Sequence, residues 1–272
     1  MKKLFMTVLT LISLIGCTTE NSVKTSSVAE SSEVDVKNGV LMDKTFYNPL
    51  DLRQNMGDPW VFKHEGYYYY LHGGSNIRVI KSKWLTQLTP NINDANQSKI
   101  IFNQKSIDVV EVWAPELFFF EGHWYLYFTA TQDIANTLAK DTARRTYGAK
   151  SKTADCFGEW EKAVKIDLPL DYRSIDATFM NYNGHQYIIY SGWPNATNSD
   201  WLQNLYITEL EEGNPLRAKS TDEEARVLIS EPQYEWEVRE ARQNEGPAYV
   251  SSPSGNPTLL YSASYSGGDK YC

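Results

Sequence analysis

Asp176-Ala177-Thr178-Phe179-Met180-Asn181-Tyr182-Asn183-Gly184-His185-Gln186-Tyr187-Ile188-Ile189-Tyr190 decides the fold of this chain. An apolar stretch meets Asn-Gly, and an aromatic stretch follows. Asn-Gly favours the two-residue turn whose twist matches that of paired strands, so the stretch reads as a β-hairpin. The same pattern recurs. Asp58 to Phe62 leads to Glu65-Gly66 and Tyr67 to Leu71. Ala114 to Phe120 leads to Glu121-Gly122 and His123 to Phe128. Glu245 to Val250 leads to Pro253-Ser254-Gly255 and Thr258 to Tyr261.

Outward from each hairpin the sequence repeats again. A third strand is predicted over Ile77 to Lys81, Thr146 to Ser151 and Asn204 to Thr208. A fourth is predicted over Lys99 to Phe102, Val164 to Leu168 and Val227 to Ile229. Four strands over roughly 60 residues is the unit of a β-propeller with inserted loops. A β-sandwich is the structural alternative, but it gives no reason for one hairpin to recur. No window sustains a period of 3.6, so helices are expected to be minor.

The 272 residues are 42% hydrophobic, 13% aromatic and 22% charged, enough for a folded core and unlike a disordered chain. A net charge of −8 without a Lys/Arg cluster argues against nucleic acid. A mean hydropathy of −0.47 excludes a multi-span membrane protein. The three cysteines, Cys17, Cys156 and Cys272, form no CxxC, and no HExxH, GxGxxG, Walker loop or GxSxG is present. Zinc sites, nucleotide folds and serine hydrolases lose their support. His64, His72, His123 and His185 lie in or beside hairpins and read as structural.

The N-terminus reads as an export signal. Lys2 and Lys3 precede an apolar run from Leu4 to Ile15, too short to span a bilayer. Leu14-Ile15-Gly16-Cys17 resembles the bacterial lipobox, which implies lipidation of Cys17 and a membrane-anchored lipoprotein in the periplasm or at the cell surface. The expected organisation is a signal over 1–17, a flexible Ser/Thr/Glu-rich tether over 18–40, and an all-β domain over 41–272.

In a propeller the first strand of each blade lines the central axis, so equivalent positions converge at one end of it. Aligned on the turn glycines, these positions hold Asp58, Ala114, Asp176 and Glu245. Three carboxylates from three blades are therefore expected around one pocket. Like charges confined together cannot all ionise cheaply, so at least one pKa must rise. A raised acid beside an ionised base is the pairing that glycosidic cleavage requires.

Gly57-Asp58-Pro59, Trp113-Ala114-Pro115-Glu116, Ser174-Ile175-Asp176-Ala177 and Asn244-Glu245-Gly246-Pro247 resemble glycoside hydrolase family 43. The resemblance covers about residues 48 to 272 and implies a five-bladed β-propeller, its last part incomplete in this chain. It implies an inverting, exo-acting glycosidase on arabinose- or xylose-containing plant glycans. An α-L-arabinofuranosidase is favoured, with a β-xylosidase as the neighbouring reading. By resemblance Asp58 is the general base, Glu245 the general acid and Asp176 the residue that positions Glu245 and keeps its pKa high. Inversion requires a base–acid separation of about 6.5–9.5 Å, against about 5–5.5 Å for retention. Trp113 and Trp193 are candidate walls of the sugar subsite. Gln203 and Asn204 read as loop or strand-edge residues.

The family continues through a fifth blade, which normally carries an axial His, often near a calcium or other ion, and a substrate-binding Arg. Neither has a counterpart here, so a longer chain is expected to supply them; no cofactor is otherwise expected. Other classes remain open at this stage: a non-catalytic sugar-binding propeller and a protein-contact propeller.

Overall fold

The computed structural model describes residues 36–37, 40–41, 57–85, 94–197, 200–252 and 254–272. The chain divides into two compact units, Met1–Thr45 and Phe46–Cys272. In the first, β1 (Val36–Lys37) pairs antiparallel with β2 (Val40–Leu41). Cys17, the apolar run and nearly all of the expected tether lie outside the described residues.

The second unit is built from antiparallel sheets in succession. Blade one is β3 (Trp60–His64), β4 (Tyr67–Leu71), β5 (Asn76–Ser82) and β6 (Ser98–Asn103). Blade two is β7 (Val110–Phe120), β8 (His123–Thr131), β9 (Arg145–Lys150) and β10 (Val164–Lys165). Blade three is β11 (Ser174–Tyr182), β12 (His185–Gly192) and β13 (Asn204–Glu211), from which β14 (Asn214–Ala218) folds back as a hairpin. β15 (Val227–Ser230) pairs with β13 as the outer strand of this blade. Blade four is β16 (Asn244–Ser251) and β17 (Pro257–Ala263), and Cys272 returns to exchange backbone hydrogen bonds with Ala263. The first strands pack side by side in the order β3, β7, β11, β16, giving an open arc of radial blades, an incomplete propeller.

Three of the hairpins turn through two residues with left-handed backbone. Glu65 and Gly66 have φ of 47° and 77°, Glu121 and Gly122 46° and 81°, and Asn183 and Gly184 52° and 81°. This is the turn geometry that Asn-Gly predicted. The fourth hairpin instead runs from Ser251 to Pro257.

The aromatic runs follow from blades stacked on both faces. In β7 and β8, Leu117, Trp124, Leu126 and Phe128 join a core with Tyr69, Leu71, Ile77 and Val79 of blade one. Their alternates Phe118, Tyr125 and Tyr127 join a second core with Ile188, Tyr190 and Tyr206 of blade three. Period-two alternation normally exposes one face; here both are covered, so apolar residues run without interruption.

Two expectations need correcting. The strand expected over Val164 to Leu168 pairs only at Val164 and Lys165, because Leu168 already caps the 3-10 turn Pro169–Asp171. β14 was not anticipated; it is a short extension carried on the end of β13. The one described α-helix, α1, is Thr137–Ala143, capped by the Asn136 side chain.

Candidate active site

The site is built where the first strands begin. Each start carries a left-handed residue: Asp58 at φ 52°, Ala114 at 42°, Asp176 at 53° and Gly246 at 59°. In blades two, three and four this residue lies within a β-bulge, between Trp113 and Glu116, Ile175 and Thr178, and Glu245 and Ala248. A bulge adds one residue, breaks the ladder locally and re-aims side chains, here toward the neighbouring blade.

The bulges correct the sequence alignment. The residue equivalent to Asp176 is Gly246, and Glu245 stands one position earlier, in the place of Ile175 and Trp113. The longer fourth turn hid this offset, since counting back from Gly255 absorbs the difference. The three acids nonetheless gather. Burial raises the Asp176 carboxyl to about 7, and the charges of Glu245 and Asp58 push the same way. The Arg173 guanidinium and the Gly246 N–H oppose this rise. Three blades thus contribute carboxylates to one electrostatically coupled cluster.

Blade-to-blade hydrogen bonds hold the acids. Ala114 N–H donates to Asp58 Oδ2 at 3.0 Å. Gly246 N–H donates to Asp176 Oδ2 at 3.2 Å. Blade two has no carboxylate at its bulge, and there the Asp176 N–H donates to the Thr129 hydroxyl at 3.0 Å. Gly73 permits the close approach at Asp58: a Cβ there would stand 3.3 Å from the Val112 carbonyl and 3.6 Å from Asp58 Oδ2. Asp58 is exposed, whereas Asp176 and Glu245 are half-buried.

Glu245 has partners that sequence reading missed. Gln203 Nε2 donates to Glu245 Oε2 at 2.8 Å, and Arg173 Nη1 donates to Gln203 Oε1. The Tyr271 hydroxyl also lies close enough to Glu245 to feel its charge, and its pKa is raised by burial and by that charge. Glu116, buried on blade two beside the blade that carries Asp176, has its carboxyl pushed well above the usual range by desolvation, and the Asp176 charge pushes the same way. Gln203 reads in sequence as a strand-edge residue; only its neighbours in space reveal it as the partner of an acid.

The two tryptophans differ. Trp113 is half-buried beside the Asp58 turn, with the Arg144 guanidinium 3.3 Å from its ring centroid. Trp193 is buried at 2% exposure, with Arg173 5.1 Å from its ring. Its ring therefore supports Arg173 from behind instead of forming an open rim. Among the described residues no three His, Cys, Asp or Glu side chains are placed to hold a metal ion. Surface hollows lie along Lys99–Asn103 and beside Tyr67 and Trp84, away from the acids.

Successive antiparallel blades, with acids at the first-strand starts of blades one, three and four, define a β-propeller of the incomplete kind. The chain belongs to glycosyl hydrolases family 43, whose family model matches residues 46–272. It is 32% identical over 225 residues to an extracellular exo-α-(1→5)-L-arabinofuranosidase of Streptomyces avermitilis, covering 81% of this chain and 43% of that protein. It is 29% identical to a protein of the same name from Streptomyces chartreusis, covering 80% of this chain and 62% of that one. The chain thus spans less than two thirds of the length of these relatives. Among solved structures, an α-L-arabinofuranosidase from Lactobacillus brevis superposes with a TM-score of 0.69 at 27% identity, covering 82% of this chain and 67% of that one.

Proposed function

We propose that this chain is the catalytic propeller of an exported, inverting, exo-acting α-L-arabinofuranosidase. The observation that carries this reading is the coupling of Asp58, Asp176 and Glu245 across three blades, with Asp176 raised to about 7. The names of the relatives support arabinofuranose as the sugar removed and support export.

The surroundings support the roles that the family resemblance implies. Exposed Asp58, its Oδ2 held by Ala114, is the general base that takes a proton from the attacking water. Glu245 donates a proton to the leaving glycosidic oxygen. Asp176, whose carboxyl the Glu245 charge helps to raise, is the residue that positions Glu245, and it is itself steered by the Gly246 N–H. Inversion requires that base and acid act from opposite sides of the anomeric carbon.

An aryl α-L-arabinofuranoside and an aryl β-xyloside assayed side by side test the sugar; faster release from the xyloside would make this a β-xylosidase. Proton NMR of the first product anomer tests inversion. Glu245→Gln should lower turnover about 10²–10⁴-fold while sugar binding survives, and intact turnover would remove Glu245 from the mechanism. Cys17 is proposed as the lipid-bearing residue. Cys17→Ser should move the protein from the membrane fraction to the soluble fraction, and unchanged fractionation would reject the anchor.

A further inference from the structure

Gln203 lies just before β13 and is 2% exposed. Its backbone is tied to the approach to β16: its N–H donates to the Arg242 carbonyl at 3.0 Å and its carbonyl accepts from Asn244 N–H at 2.9 Å. Its side chain stands between a cation and a carboxylate, Arg173 on one side and Glu245 on the other. A guanidinium has only donors, so the amide oxygen must face Arg173. The amide NH2 must then face Glu245, whichever way the amide is first drawn.

We infer that Arg173 and Gln203 form a positioning relay that fixes the Glu245 carboxyl and confines its transferable proton to Oε1. This rests on the reading of Glu245 as general acid. A proton on Oε2 would oppose the Gln203 N–H with a second donor, so Oε2 stays the acceptor at 2.8 Å. One defined proton position on a held carboxyl shortens the search for a transfer geometry.

Arg173 is held in turn. It is buried over the Trp193 ring, and Trp193 N–H donates to its carbonyl at 3.4 Å. At Gly192 a Cβ would stand 3.0 Å from that carbonyl and 2.9 Å from Arg226 Nη2. Blade three therefore carries a preset support for an acid borne on blade four. The groups around this acid are Asp176, Arg173 and the Tyr271 hydroxyl, with Asp58 acting on Asp176.

The test uses the intact protein and two arabinofuranosides. A dinitrophenol leaves without help, whereas an alkyl alcohol needs the proton. Gln203→Met should slow the alkyl substrate about tenfold or more and leave the dinitrophenyl substrate and both KM values within about twofold. Equal slowing of both substrates, or slowing of neither, overturns the relay. Gln203→Glu keeps a partner for Arg173 but offers no N–H to Glu245; it should give the same leaving-group signature and decides the matter if Gln203→Met does not fold. Glu245→Ala separates the two readings. If it slows both substrates equally, Glu245 is not the acid. If it is selective and the Gln203 variants are not, only the relay falls.

Discussion

The backbone N–H of Gly246 donates to Oδ2 of Asp176 at 3.2 Å. This bond is one step of a pattern in which the bulge residue of each blade reaches back to the blade before it. Ala114 does so to Asp58, and Asp176 does so to Thr129. The left-handed conformation at the bulge breaks the local ladder and leaves the N–H available for a side chain. Backbone strain at the strand starts is thereby coupled to the placement of the acids.

Asp176→Asn should stabilise the protein at alkaline pH. An acid whose folded pKa is raised to about 7 from 3.8 binds more protons folded than unfolded between those values. Stability from this group therefore falls as pH rises from about 4 to 7 and stays low above it. An amide carries no such penalty and still accepts from Gly246. The gain at pH 8 should be at most about 4 kcal/mol, vanishing near pH 3. Denaturant unfolding at the two pH values checks it, and turnover should fall.

Asp58→Asn should preserve the fold and abolish the base. Asn tolerates the left-handed backbone that Asp58 holds at φ 52°, and its amide oxygen accepts from Ala114. Turnover should drop about 10²–10⁴-fold with little change in melting temperature. Because the Asp58 charge helps raise Asp176, the Asp176 titration midpoint should move below about 7, which carboxyl NMR reads directly.

Gly246→Ala isolates the backbone contribution. A Cβ there meets nothing within 4 Å, so no clash is introduced, yet φ is 59°. The left-handed conformation alone should cost about 1–2 kcal/mol. A loss near zero in urea unfolding would mean that the bulge relaxes, and the Asp176 pKa should then rise as its N–H partner withdraws.

Arg144→Met should raise KM more than it lowers kcat. The guanidinium covers the Trp113 ring and bonds Glu111 Oε2 at 2.5 Å and Asp141 Oδ1 at 2.8 Å. Methionine keeps the packing of the stem but leaves two acids without this cation, a cost of about 1–3 kcal/mol. A freed Trp113 ring should weaken the sugar wall; Trp113→Ala should raise KM by the same route. Unchanged KM in both would place Trp113 outside the subsite.

The sequence by itself determined the hairpin units, because turn chemistry and period-two aromatic runs are local. Glu65-Gly66, Glu121-Gly122 and Asn183-Gly184 each adopt the turn their residues demand. The radial arrangement was legible too, since recurrence at near-equal spacing needs no knowledge of contacts, and it brought Asp58 and Asp176 to one end of the axis. The tertiary structure alone decided the rest. Glu245 reaches the cluster from one residue off the aligned position, because a bulge and a longer turn compensate each other in any count along the chain. Arg173, Gln203 and Tyr271 become partners of that acid through contacts between residues far apart in sequence. Hydrogen bonding and desolvation depend on distance in space, and no local pattern encodes which blade edge will face which acid.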